Sequence, residues 1–168
     1  MKHYQWISIL LLCLPMVVFA RLSGSTYSET ENSATLLTDT TGTPPTITIS
    51  SATVPAGAAV SVPMTVTNFT GVGGITLKIT YDTSVVTYTG IANAPTGVTF
   101  TVGSATPGVL NIGWFDVTGL SPINIASGKL VDLNFTFKKG TGSISFVTSA
   151  CDINNSAGTS ISGITYKN

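Results

Sequence analysis

The stretch GITLKITYDTSVVTYTGI, residues 74–91, decides the fold of this chain. Its first half alternates strictly, with apolar side chains at every second position from Ile75 to Tyr81 and polar ones between them. Because successive side chains of a β-strand point to opposite faces, this pattern predicts a strand with one buried face and one solvated face. The turn-forming residues at 82–84 then separate this strand from a second apolar run.

The same two-residue period recurs along the chain after residue 45. It appears in residues 60–66, 110–114 and 131–137, and turns that contain Gly or Pro separate these segments. About nine short strands with this spacing predict an all-β fold, a sandwich of two antiparallel sheets with Trp114 in its core. Pro63 has no N–H to donate to a sheet ladder, so we expect a bulge or a sheet edge close to it.

The N-terminus has the pattern of a targeting signal. A short basic start at Lys2 and His3 precedes an apolar core over residues 7–18 and a cleavage-type sequence at 18–20. This pattern predicts a signal peptide over residues 1–20. The alternative is an uncleaved membrane anchor, but the apolar core is shorter than the roughly 20 residues that a spanning helix needs. We therefore expect a secreted protein without stable membrane insertion.

Residues 21–45 are predicted to be a disordered linker. Eleven of the residues from 23 to 43 are Ser or Thr, and the segment ends in Gly-Thr-Pro-Pro. So few apolar side chains cannot offset the entropy lost on ordering the chain. The folded domain is therefore expected to occupy residues 46–168.

Charge and cysteine content narrow the function further. Seven basic and seven acidic side chains cancel, and no basic stripe is present that would favour nucleic acid as a partner. Once the signal peptide is removed, Cys151 is the single cysteine. It is predicted to be a buried small apolar residue, with an intermolecular disulfide as the alternative.

The expected folded domain lacks most of the side chains that enzymes use for catalysis. From Thr46 onward the chain has no His, Glu or Arg, which excludes Ser-His-Asp and Cys-His arrangements. Two aspartates hydrolyse a glycoside only if they face each other across a cleft. Asp82 is predicted to form a turn and Asp132 to lie on an outward strand face, so we expect no enzyme.

No cofactor is expected, although one segment offers oxygen ligands. Residues 152–155, Asp-Ile-Asn-Asn, carry the side chains that calcium would prefer. The competing interpretation is an Asx-rich loop whose side chains cap its own backbone.

Several of these features together resemble the cohesin family. They are the Val-Pro strand at 62–63, the Tyr-Asp turn at 81–82, the strand ending Trp-Phe-Asp at 114–116, the Leu-Asn-Phe-Thr-Phe strand at 133–137, and Cys151 two residues before Ile153. The resemblance covers residues 46–168 and implies a jelly-roll β-sandwich. It also implies a non-catalytic module that docks a protein partner, a dockerin module, in extracellular polysaccharide degradation or cell-surface assembly.

In cohesins one sheet presents a flat outer surface to the dockerin. The matching segments here are residues 98–103, 74–82, 109–116 and 143–147, and alternation selects the outward side chains. The chain departs from the family at Gly74 and Thr76, where dockerin-binding cohesins usually carry Asn or Asp. The candidate contact residues are Thr76, Lys78, Thr80, Asn111, Phe115, Asp116 and Val147.

Two other functions fit a secreted β-sandwich. A carbohydrate-binding module would contact polysaccharide directly, but such modules need coplanar exposed aromatic rings, and Trp114 is predicted to point inward. A structural or adhesive domain of a surface protein would need no specific contact residue. All three interpretations predict an extracellular or cell-surface location.

Overall fold

The computed structural model describes residues 43–168, so the predicted signal peptide and the linker up to residue 42 lie outside the described residues. Pro45 is buried, and its carbonyl accepts a hydrogen bond from the Thr165 N–H at 2.9 Å, so the ordered domain includes it. The nine strands of the described domain are β1 (Thr46–Ile49), β2 (Ala59–Tyr81), β3 (Val86–Ala92), β4 (Thr101–Gly103), β5 (Val109–Phe115), β6 (Ile123–Phe137), β7 (Ile144–Phe146), β8 (Asp152–Asn155) and β9 (Thr165–Lys167).

The predicted all-β sandwich is confirmed. A single turn of 3-10 helix, Thr148–Ala150, interrupts the strands, and no helix within residues 43–168 is long and apolar enough to cross a membrane. The predicted loop at 152–155 is wrong, because these residues form strand β8. The domain closes with the short strand β9, which begins at Thr165.

Strand β2 belongs to both sheets. Its N-terminal half pairs with β1 and β6, and its C-terminal half pairs with β5, β7 and β8. The sequence predicted two separate strands here, but one strand of 23 residues runs through both. Asn68 and Gly71 have positive φ angles of 55° and 67° and mark the irregular segment between the halves. These conformations suit Asn and Gly, so the chain changes sheet without ending the strand.

Two sheets result from this arrangement. The first sheet has the order β3-β6-β2-β1-β9, and the second sheet consists of β4, β5, the C-terminal half of β2, β7 and β8. Pairing is antiparallel except between β1 and β9. The bulge expected near Pro63 is present: the register between β2 and β6 shifts between Met64 and Thr65.

The core lies between the sheets and contains the predicted inward rows. Phe69 and Phe135 are completely buried, and the ring of Tyr81 meets Phe135 edge-on with 5.4 Å between ring centroids. Trp114 shares its row with the buried Ile112 and packs against the core. However, Trp114 is only half-buried, because it lies near the end of β5.

The predicted exposure of Asp132 is wrong. This residue is only 4% exposed, although its neighbours in β6 point to the core as expected. Asn93, just after β3, donates Nδ2 to Asp132 Oδ2 at 2.6 Å, and Lys129 Nζ reaches the same oxygen at 2.9 Å. The hydrogen bond from Asn93 is the main cause that lowers the pKa of Asp132. Alternation correctly placed Asp132 on the outward face of β6, but it could not show that the side chains of Asn93 and Lys129 cover this carboxylate.

Candidate functional site

Five of the seven predicted contact residues lie together on the outer face of the second sheet. β2 contributes Thr76, Lys78 and Thr80, and β5 contributes Asn111 and Phe115. The antiparallel register places Lys78 directly opposite Asn111. Since the residues between these positions of β2 are buried in the core, this face is the solvated side of the sheet.

Asp116 lies beside this face rather than on it. Its Oδ1 accepts hydrogen bonds from the N–H of Thr118 at 3.0 Å and from the Thr118 hydroxyl at 2.7 Å, and its Oδ2 accepts one from the Ser121 N–H at 2.5 Å. The hydrogen bond from the Thr118 hydroxyl is the main cause that lowers the pKa of Asp116. The carboxylate therefore fixes the loop after β5 rather than pointing freely toward a partner.

Val147 was expected to be exposed, but it is half-buried. The chain leaves β7 at this residue and turns into the 3-10 helix, so strand alternation no longer applies. The Val147 N–H donates to the Lys78 carbonyl at 2.8 Å, and its own carbonyl accepts a hydrogen bond from Cys151 Sγ at 3.3 Å. Cys151 is half-buried and packs against the core, which confirms its predicted burial in part, and burial raises the pKa of its thiol.

The loop that Asp116 fixes carries an apolar patch that extends the face. Within the described residues, the exposed large hydrophobic side chains are Phe115, Val117 and Leu120, with 69%, 80% and 85% of their surface accessible. All three fall in a segment of six residues. We call these three residues the apolar loop patch. Only Phe115 could be predicted from the sequence. Val117 and Leu120 come after β5 ends, so strand alternation does not predict whether their side chains are exposed.

Strand β8 adds a second set of polar groups that the sequence analysis missed. Ile153 is fully buried and pairs with Ile75, so the residues on either side of it point outward. In the sheet register, Asp152 lies beside Thr76 and Asn154 lies beside Gly74. The alternation Asp-Ile-Asn could have revealed this strand, but it is only four residues long.

Asp152 and Asn154 are linked to each other. Asn154 Nδ2 donates to Asp152 Oδ2 at 3.1 Å, and the Ser160 hydroxyl donates to the other carboxylate oxygen. Asn155 does cap its own backbone, since its Oδ1 accepts from the N–H groups of Ala157 and Thr159, both at 3.0 Å. No group of three His, Cys, Asp or Glu side chains that could hold a metal ion occurs among residues 43–168. The expectation of no cofactor, with calcium at residues 152–155 as the alternative, stays a prediction.

A groove of about 460 Å³ crosses the face between β8 and the edge of β5. Gly74, Thr76 and Gly113 line it along the sheet, Phe115 lies at one side, and Asn154 lies at the other. The rest of the lining comes from Ile75, Trp114, the segment before β4 and Thr101 in β4. Two of the predicted contact residues, Thr76 and Phe115, thus line the groove, and Phe115 also belongs to the apolar loop patch.

Solved structures of cohesins are similar to this fold. The sixth cohesin of scaffoldin B from Acetivibrio cellulolyticus, solved with a mutant Cel5 dockerin, has a TM-score of 0.63 and 20% identity over 74% of this chain and 96% of that chain. CaCohA2 from Clostridium acetobutylicum has a TM-score of 0.61 and 23% identity over 74% of this chain and 91% of that chain. A non-cellulosomal cohesin from the archaeon Archaeoglobus fulgidus has a TM-score of 0.57 and 20% identity over 74% of this chain and 86% of that chain. At these identities the similarity establishes the fold alone.

A search of curated proteins finds no match to this sequence. The family model of the cohesin domain, however, matches residues 45–168, which is nearly the whole range that the structure describes. The sandwich, the strand shared by its sheets and this match agree with the resemblance noted in the sequence, and the chain belongs to the cohesin domain family.

Proposed function

We propose that this protein is a secreted, non-catalytic docking module whose outer face on the second sheet binds a dockerin module of a partner protein. The assembly would serve extracellular polysaccharide degradation or attachment at the cell surface. Membership of the cohesin family and similarity to a cohesin solved with a dockerin support this kind of partner.

The apolar loop patch is the observation that carries the proposal. Protein interfaces are anchored by apolar and aromatic side chains with polar groups around them. Phe115, Val117 and Leu120 provide such an anchor, and the polar residues of β2, β5 and β8 lie next to it. On the first sheet no large hydrophobic side chain among the described residues is exposed in this way.

The absence of catalysis is supported by how the carboxylates are used. From Thr46 onward the chain has four aspartates and no other acidic residue. Asp82 Oδ1 accepts from the N–H and the hydroxyl of Ser84 at 2.8 and 2.6 Å, and the other three aspartates hold the local hydrogen bonds described above. No two of these four carboxylates therefore form the facing pair of general acid and base that glycoside hydrolysis needs.

Secretion rests on the predicted signal peptide, whose removal would leave the predicted linker as an N-terminal extension of the domain. This part of the proposal is tested by sequencing the N-terminus of the secreted protein. A mature chain that begins at Arg21 supports it, and a secreted chain that still begins at Met1 contradicts it.

Titration calorimetry with dockerin modules encoded in the genome of the source organism tests the docking face. Phe115→Ala removes the aromatic anchor, and Lys78→Glu places a carboxylate where a partner would have to desolvate it. We expect each substitution to weaken binding by about 1–3 kcal/mol while the melting temperature stays near that of the unsubstituted protein.

Lys167→Glu is the matched control, because it makes the same charge change at an exposed position of β9 in the first sheet. It should leave the affinity unchanged. If Lys167→Glu weakens binding and the two substitutions on the second sheet do not, the proposed face is wrong.

A further inference from the structure

The groove on the outer face contains a glycine that the fold itself does not require. A Cβ atom added to Gly113 would meet only the Ile75 carbonyl oxygen, at an ordinary distance of 3.9 Å. Gly113 also has no positive φ angle that would demand glycine. By contrast, a Cβ atom on Gly73 would come within 2.5 Å of Ser156 Cα, so packing explains glycine there.

Glycine inside a strand weakens the sheet, since it loses more chain entropy on folding and packs no side chain. A glycine that packing does not require therefore points to a contact outside the folded chain. Gly113 lies beside Thr76 in the register and is half-buried, so its backbone forms part of the groove surface, whereas Gly74 is buried beside the Asn154 side chain. A partner can approach this part of the sheet closely.

The lining also limits what the groove can hold. None of the residues that line it is charged, and the exposed ring of Phe115 forms one side. Asn154 on the other side uses its Nδ2 to bond Asp152, and its carbonyl oxygen is left as an acceptor for a partner N–H. Because one exposed ring alone offers little stacking surface for a glycan, the lining favours an apolar protein side chain over a sugar.

We propose that the groove floored by Gly74 and Gly113 is a specificity pocket that receives a large apolar side chain of the docked partner. This inference rests on the proposed dockerin-binding function. It adds the place on the docking face where a side chain of the partner inserts. Partners with a small or charged side chain at that position would bind weakly, since they would leave the groove unfilled or bury an unpaired charge.

Filling the groove from within tests the inference. Gly113→Val adds a side chain where the fold has room and where a β-branched residue favours the strand. Ser61→Val is the control: it introduces the same β-branched side chain at an exposed position of β2 that lies on the outer face of the first sheet, away from the groove. Both variants should melt at or above the temperature of the unsubstituted protein.

In titrations with the dockerin panel, Gly113→Val should lower the affinity at least roughly tenfold, whereas Ser61→Val should change it little. If Gly113→Val binds as well as the unsubstituted protein while Phe115→Ala still weakens binding, the pocket is wrong and the docking face stands. If the unsubstituted protein binds none of the dockerins, the proposed function fails and the inference fails with it.

A second variant covers the case in which Gly113→Val does not fold. Gly113→Ala adds a single methyl group, which would meet only the Ile75 carbonyl oxygen at 3.9 Å, and it should also lower the affinity for dockerin. An unchanged affinity of folded Gly113→Ala contradicts the inference. Binding of cello-oligosaccharides and not of dockerin would also overturn it, in favour of direct carbohydrate binding.

Discussion

At the scale of single residues, Asp116 explains why the loop that carries the exposed Val117 and Leu120 is ordered. Its carboxylate bonds Thr118 and Ser121, so the loop between β5 and β6 has a fixed shape without burying Val117 or Leu120. A mobile loop with the same side chains would lose entropy when a partner ordered it. For the proposed docking function, the apolar loop patch would therefore need no ordering when a partner arrives.

Asp132 gives a residue-scale prediction about acid stability. Its pKa is lowered from the ordinary 3.8 in the folded state by Asn93, with a further contribution from Lys129. The ionised carboxylate therefore stabilises the fold fully above the unfolded-state pKa, and this stabilisation is lost as the pH falls through the folded-state pKa. Urea unfolding of Asp132→Asn should show a loss of about 1–3 kcal/mol at pH 7.

The difference in unfolding free energy between this variant and the unsubstituted protein should shrink as the pH is lowered below about 4. Asn93→Ala is the control, because it removes the main cause of the lowered pKa and leaves the carboxylate in place. A difference for Asp132→Asn that stays constant from pH 7 to the acid limit of folding would contradict this account.

At the scale of elements, the alternating strands were predictable and the long strand was not. Residues 67–73 contain one Asn and two Gly, residue types that usually end a strand, yet Phe69 and Val72 stay buried and keep their pairing with Ile125 and Ile123. Tertiary burial therefore overrides the local turn preference. Sequence alone also gives no register, so it could not place β8 beside β2.

Gly73 supplies the prediction at this scale. Its missing Cβ allows the backbone at Asn155 and Ser156 to approach within 2.5–2.9 Å of where that atom would be. Because backbone must move, Gly73→Ala should cost about 1–3 kcal/mol of folding stability, as other overpacked positions do. Thermal melts followed by circular dichroism would measure it.

Gly74→Ala is the matched control, since it lies in the same strand and its added Cβ would meet only the Asn154 side chain, at 3.4 Å or more. The effect of the substitution on the unfolded chain is the same at both positions. Equal melting temperatures for the two variants would show that the contact between β2 and residues 155–156 does not limit stability.

At the scale of the whole molecule, most of the candidate site followed from the sequence. Alternation and the cohesin resemblance together selected Thr76, Lys78, Thr80, Asn111 and Phe115, which the structure brings to one face. What could not be predicted depends on packing between distant segments: the groove, the partners of Asp116 in its loop, and the β8 residues beside Gly74 and Thr76.

The central claim is that the outer face of the second sheet, and not that of the first, docks a dockerin. The most direct test is NMR chemical-shift mapping of the mature, ¹⁵N-labelled protein titrated with an unlabelled dockerin that binds it. The account predicts that the largest shifts occur at residues 74–80, 111–120 and 152–154, with little change in β3 and β6. Large shifts confined to β3 and β6 would contradict it.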